Sequence, residues 1–174
     1  MDKMQYVIRP AAWQDVEAIA QLYVTNHRQT YAGLLSAEYF AQLTETYAID
    51  KWKNYLDNAD NCIFVVYEDA QFLGFAAGMQ DVCLEDTWYL DSLHVTQHAR
   101  GKGIGSALIH AMSRYAAEHG YGKMSVCIVK GNDDAGALYQ KLGAVHALDF
   151  EDDFCGTVSQ SEKLVWHDLR LMKK

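Results

Sequence analysis

The sequence predicts a single α/β domain, and three observations carry that prediction. Short apolar runs of strand length recur at residues 5–9, 62–67, 71–79, 88–95 and 124–129. Between them lie segments whose apolar residues step by three and four, the period of a helix packed on one side. The stretch from Leu93 to Leu108, LHVTQHARGKGIGSAL, joins one of each kind, so strand, glycine turn and helix follow directly. At 174 residues, half of them apolar and with no Ser/Gly/Pro-rich linker, the chain suits one buried core over residues 1–174 rather than two domains.

Taken in order, residues 5–9 form a first strand that Pro10 ends by removing a ladder donor. Val16, Ile19, Ala20 and Tyr23 mark a helix over residues 13–24. Residues 26–35 are broken by Gly33, Ser36 precedes a helix at 37–44, and a short helix follows at 50–56. The runs at 62–67 and 71–79 meet across Glu68-Asp69-Ala70 as an antiparallel hairpin. Residues 81–87 make an acidic loop into the strand at 88–95. Ile104, Ala107, Leu108, Ala111, Tyr115 and Ala116 form the buried stripe of the central helix, and Gly120-Tyr121-Gly122 stops it. A fifth strand at 124–129 leads to a helix at 133–142 that ends at Gly143. Strands at 145–150 and 163–169 close the fold across a long loop carrying Asp149, Glu151, Asp152 and Asp153.

Composition narrows the function classes. A formal charge of −8 opposes nonspecific nucleic-acid binding and suits a cationic small substrate. No run approaches the roughly 18 apolar residues of a membrane span, and Met1 to Gln5 lead into no signal-peptide core, so a cytoplasmic protein without membrane or nucleic-acid partners is expected. Cys62, Cys83, Cys127 and Cys155 are scattered and form no C-x-x-C pair; Cys62 and Cys127 read as reduced core residues. No His/Asp/Glu grouping has metal-ligand spacing, and no metal is expected.

The glycine turn carries the chemistry. A helix that begins in glycines leaves its first N–H groups uncovered, with the positive end of its dipole beside them, and such a place suits a phosphate. Arg100 and Lys102 add mobile positive charge. A plain tight turn is the alternative. Two other phosphate loops fail on spacing: the dinucleotide fingerprint needs G-x-G-x-x-G, and the P-loop needs its lysine after the last glycine.

What fits is R-x-x-G-x-G, read as Arg100, Gly103 and Gly105, preceded by the strand ending Leu93-His94-Val95. Downstream, Gly131-Asn132 and Ala137-Leu138-Tyr139-Gln140-Lys141-Leu142-Gly143-Ala144 follow a strand, and Tyr6-Val7-Ile8-Arg9-Pro10 opens the chain. In these features the chain resembles the GNAT superfamily of acyl-CoA-dependent N-acyltransferases. The resemblance implies a mixed, mostly antiparallel sheet of six to seven strands flanked by helices. It implies acetyl-CoA as acyl donor and direct transfer to a primary amine, with a homodimer left open.

By the same resemblance the coenzyme pyrophosphate meets the turn of Arg100, Gly101, Lys102, Gly103, Ile104, Gly105 and Ser106. The pantetheine arm pairs with the backbone of Leu93, His94 and Val95 and meets Asn132 and Tyr139. Tyr139 stands where many members carry the acid that protonates the leaving thiolate; packing beside the pantetheine arm is its other reading. Counting back from Val95, the position that holds a glutamate base in many relatives is Tyr89. Asp91, two residues on and on the same strand face, is the substitute, with Glu85, His94 and a water chain as rivals. His98 flanks the turn as well. The region over the acceptor pocket is aromatic: Trp13, Tyr31, Tyr39, Phe40, Tyr47, Trp52 and Tyr55. A small-molecule acceptor is expected; a protein amino-terminal or lysine acetyltransferase and a non-catalytic acyl-CoA-binding regulator are the alternatives.

Overall fold

The computed structural model describes residues 5–154 and 157–172; of the opening pentapeptide only Gln5 falls within them, and Cys155 lies outside. A single seven-stranded sheet has the order β1-β2-β3-β4-β5-β7-β6. β1 (Val7–Pro10), β2 (Cys62–Glu68), β3 (Gln71–Gln80) and β4 (Thr87–Val95) are successive antiparallel neighbours. β4 and β5 (Lys123–Val129) run parallel, because the chain crosses over between them through helix α4 (Ile104–Glu118). β7 (Thr157–Trp166) pairs antiparallel with β5, and β6 (Val145–Phe154) forms the outer edge. The mixed, mostly antiparallel sheet expected from the sequence is thus present.

The central strands are buried on both faces, which is why they read as nearly continuous apolar runs. On one face Ile104, Leu108, Ile109 and Met112 of α4, with Tyr139 and Leu142 from the α5 (Asp133–Lys141) region, pack against Ala76, Trp88, Leu90 and Met124. On the other, Ile19, Ala20 and Tyr23 of α1 (Val16–Thr30) and Trp52 of α3 (Glu45–Asp57) pack against Val65, Phe75 and Ala77. Among the described residues no helix is long and apolar enough to cross a membrane.

Three expectations about element bounds are corrected. α1 continues to Thr30 rather than ending near Val24: Asn26, which interrupts the apolar stripe, is buried and donates to the Val95 carbonyl of β4 at 3.3 Å. α2 (Ala37–Gln42) stops early and α3 begins at Glu45, not residue 50, because the Thr44 hydroxyl accepts the Tyr47 amide at 3.1 Å and caps the helix there. The long acidic loop expected after residue 150 is instead the continuation of β6 into β7. β6 is an outer strand, exposed along most of its length, so nothing in its residues alternates between oil and water.

β4 and β5 part company partway along. They pair from Thr87 opposite Lys123 to Leu90 opposite Val126 and no further. On the other side of β4, Ala77 faces Ser92 and Gly78 faces Leu90, so Asp91 is the extra residue of a bulge that bends the strand. One residue short of the parting point, a buried carboxylate ties the layers together. Asp81 Oδ2 accepts from Ser125 Oγ of β5 and from Lys163 Nζ of β7, each at 2.6 Å. Asp81 Oδ1 accepts the Cys83 and Leu84 amides at 2.8 and 3.1 Å. Burial alone would raise the Asp81 carboxyl; these four donors outweigh it and hold the group below the usual carboxylate range.

Removing one partner of such a pair strands a charge in the interior. Lys163→Met is therefore expected to cost about 3–5 kcal/mol in urea unfolding. The sign with pH is also set. Because the folded Asp81 pKa is depressed, its contribution is full above the unfolded value near 3.9 and is lost as pH falls through the lower folded value. The stability gap between the unmodified protein and Lys163→Met should therefore be widest above that window and narrow as pH falls through it.

Candidate active site

Where β4 and β5 separate, a cleft of about 870 Å³ opens. Residues 89–95 of β4 form one wall and residues 126–129 of β5 another; Tyr23, Asn26 and His27 of α1, Tyr31 just past its end and the start of α5 complete it. Beyond Leu90 the β4 backbone has no β5 partner, so its amides and carbonyls face the opening.

The glycine turn stands at the edge of this cleft. Gly101 and Gly103 adopt φ of +74° and +82°, the left-handed region that side chains disfavour. Gly103 is the N-cap of α4 and supplies no side-chain cap, and the first intrahelical bond runs from the Ala107 amide to the Gly103 carbonyl at 3.0 Å. The amides of Ile104, Gly105 and Ser106 precede that bond and are left open. Ile104 contributes its backbone alone, since its side chain lies in the core. Arg100 and Gly105 line the cleft, whereas Gly101, Lys102, Gly103, Ile104 and Ser106 lie outside its wall. The expectation that Arg100 is a mobile cation is corrected: its Nη2 donates to Asn26 Oδ1 at 3.1 Å and its Nε to the Val95 carbonyl at 3.4 Å.

Leu93 and Val95 turn their side chains into the core below α4, and Leu93, His94 and Val95 all border the cleft. Asn132 begins α5 without capping it through its side chain, and its influence on the Tyr31 phenol works against burial, which raises it. Tyr139 is 6% exposed, edge-on to Trp166 at 5.9 Å, and reaches the cleft wall. Burial, and then the neighbouring Tyr31, raise its phenol above the ordinary value, so it is fully protonated at neutral pH.

Burial likewise decides the protonation of the other groups. It raises Asp91 above the usual carboxylate range, with Lys51 and the Tyr55 hydroxyl opposing it only in part. Among the described residues no closed hydrogen bond joins the buried Tyr55 hydroxyl to a partner, so its influence on Asp91 is exerted at longer range. Tyr89 is raised far beyond the reach of neutral pH by burial, then by Cys127 and Asp91, and cannot serve as a proton acceptor there. His94 is held neutral by burial and by His27 and Arg100; its ring lies against Tyr23, His27 and Phe75, with Asn26 Nδ2 3.3 Å from its Nδ1. Glu85 is exposed and absent from the cleft wall, and His98 is exposed and bonded to Gln71.

Sequence reading missed several groups that line the cleft. His27 sits with Nδ1 3.0 Å from the Tyr39 hydroxyl, and burial followed by Lys51 lowers its pKa to about 4. Tyr23, His27 and Tyr31 share one face of α1 at four-residue steps, a signal hidden once the helix is stopped at residue 24. Lys51 of α3 also reaches the cleft. Of the expected aromatic lining, Tyr31 and Tyr39 face the cleft, Trp52 and Tyr55 belong to the core, and Trp13 and Tyr47 are about half exposed. Cys62 is buried, its thiol pushed up to about 12, while Cys127 stands in the cleft wall rather than fully in the core.

The β6 and β7 pairing also brings together His146, Asp149 and Glu162, which no sequence spacing suggests. His146 Nδ1 lies 2.8 Å from Glu162, and Lys130 pairs with Asp149 at 3.2 Å, so Lys130 already sets a cation against this cluster. Asp152 is the acidic residue of this region that faces the cleft.

The acetyltransferase (GNAT) family model matches residues 16–144, a span that holds β4, the glycine turn, α4 and α5. The chain belongs to this family. Among curated proteins, this GNAT chain is similar to the uncharacterised N-acetyltransferase YhfO of Bacillus subtilis (strain 168), with 30% identity over 78% of the chain and 87% of the relative. It is also similar to the uncharacterised N-acetyltransferase YuaI of the same organism, with 24% identity over 95% of each. The GNAT fold is shared with the crystal structure of the PaiA N-acetyltransferase of Thermoplasma acidophilum in complex with coenzyme A, at a TM-score of 0.72 and 21% identity over 91% of this chain and 98% of that one.

The two imidazoles of the cleft give a direct check on its polarity. In a proton NMR titration His27 is expected to charge with a midpoint of about 4. His94 should stay neutral through the range near 6.5 where an ordinary histidine titrates.

Proposed function

We propose that this GNAT chain transfers acetyl from acetyl-CoA directly to the primary amine of a small molecule, with Asp91 as base and Tyr139 as proton donor to the leaving sulfur. The observation that carries the reading is the parting of β4 from β5: it leaves an open strand edge running from the uncapped start of α4 to a half-buried carboxylate with a raised pKa. An arm carrying amides has a ladder to join, and the pyrophosphate at its end meets the amides of residues 104–106.

The amine arrives charged. A lysine-like ammonium with a pKa near 10.4 costs about 4.6 kcal/mol to deprotonate at pH 7. Asp91, its carboxyl raised by burial, takes the first proton in its ionised form and releases it to solvent. The free amine then adds to the thioester carbonyl. As the tetrahedral species collapses, the C–S bond breaks, the nitrogen gives up its second proton, and the sulfur gains one. A thiolate with a pKa near 8.5 gains only about 2 kcal/mol from that proton at pH 7. Tyr139, more weakly acidic than a free phenol, serves by donating a hydrogen bond to the developing thiolate and passing on the nitrogen's proton, rather than by driving the transfer. Tyr89 and Glu85 are excluded from the base role by protonation and by position respectively.

The test joins binding to turnover. Calorimetry should show saturable CoA binding to the unmodified protein, and thiol release from acetyl-CoA should appear with at least one amine in a panel of amino acids, polyamines, aminoglycosides and peptides. Asp91→Asn should lower kcat by 10²-fold or more and abolish the acidic limb of the kcat/KM profile. Tyr139→Phe should lower the chemical step about tenfold or more while CoA affinity stays within a factor of two. Tight CoA binding with no thiol release on any amine would replace this reading with a coenzyme-binding regulator.

A further inference from the structure

The wall of the cleft built by α3 holds one cation, Lys51, that has no ion-pair partner among the described residues. Its Nζ rests 5.3 Å from the centre of the Trp52 ring and 5.8 Å from that of Tyr23. Aromatic shelves of this kind hold an ammonium in place without discharging it. Among the described residues no carboxylate oxygen lies within 4.0 Å of it. Asp91 borders the same cleft and feels the Lys51 charge, which pulls its carboxyl down against burial, but the two form no ion pair within 4.0 Å.

Asp91 and Lys51 thus border one cleft without pairing. An amine presented to Asp91 leaves the rest of the acceptor to meet Lys51. A second ammonium there would face a like charge in a half-buried site, and an uncharged group would leave the lysine unanswered. A carboxylate would form a charge-assisted pair with it. His27 and His94, both neutral, add no competing positive charge. Arg100 is already engaged by Asn26 and Val95 at the coenzyme turn.

We propose that the acceptor is an aminocarboxylate, whose amine meets Asp91 and whose carboxylate meets Lys51. This rests on the acetyl-transfer reading above and refines its acceptor. Lys51 is then the residue that selects against polyamines, although the chain as a whole is acidic.

The experiment compares the proteinogenic L-amino acids, β-alanine and γ-aminobutyrate with their primary carboxamides, in thiol release from acetyl-CoA and in calorimetry on the CoA-loaded protein. The best aminocarboxylate should exceed its carboxamide by tenfold or more in kcat/KM. In Lys51→Met that ratio should fall toward one, with Lys51→Arg restoring part of it. Equal use of acid and amide by the unmodified protein, which requires no variant, overturns the proposal. So does a Lys51→Met profile in which the pH dependence moves for both substrates while their ratio stays fixed, since Lys51 would then only tune Asp91. Turnover confined to polyamines or peptides keeps the transfer reading and sinks this one. Carboxylate-dependent binding that Lys51→Met abolishes, without turnover, sinks the transfer reading and keeps the site.

Discussion

The site depends on two parallel strands that are prevented from pairing to their ends. Side by side, β4 and β5 would satisfy every backbone group between them and leave no room for a ligand. They stop at Leu90 and Val126, and a bulge at Asp91 turns β4 aside. Just below, the Asp81 carboxylate holds Ser125 of β5 and Lys163 of β7 in one buried knot. A buried ion pair is weak as a source of stability, because desolvation cancels most of its attraction, but it tolerates only one geometry. Here that geometry is the base of the fork.

The same low-polarity surroundings distribute protons over the cleft. Carboxyl and phenol groups are pushed up and imidazoles down, since burial penalises whichever form is charged. Asp91 is brought closer to neutral pH, Tyr89 and Tyr139 keep their protons, and His27 and His94 lose theirs. One physical cause therefore separates a group able to accept a proton from groups able only to donate or to pack.

How far this was legible from the chain depends on how local each feature is. Gly101 and Gly103 advertise their own backbone angles, so the turn and the helix behind it could be placed from residue identity. The central strands, buried on two faces, declare themselves as apolar runs. Asp81 and Lys163 are 82 positions apart and meet only through strand register, which no spacing rule encodes. Asn26 and His27 are polar residues on the buried side of a helix, so they look like its end. Lys51 reads as an ordinary surface lysine until its helix is laid against Tyr23. Function, in this chain, is concentrated where the local pattern is interrupted.

The two outer strands of the sheet differ in what they offer to a neighbouring molecule. β1 is four residues long and ends in Pro10, which has no amide hydrogen to give. β6 is long but carries Asp149, Glu151, Asp152 and Asp153 within a few residues of its far end. A further strand adding to either margin would meet a truncated ladder on one side and a row of negative charges on the other. The sheet is thereby closed to edgewise growth, so an unpaired margin that could seed fibres is blunted at both ends.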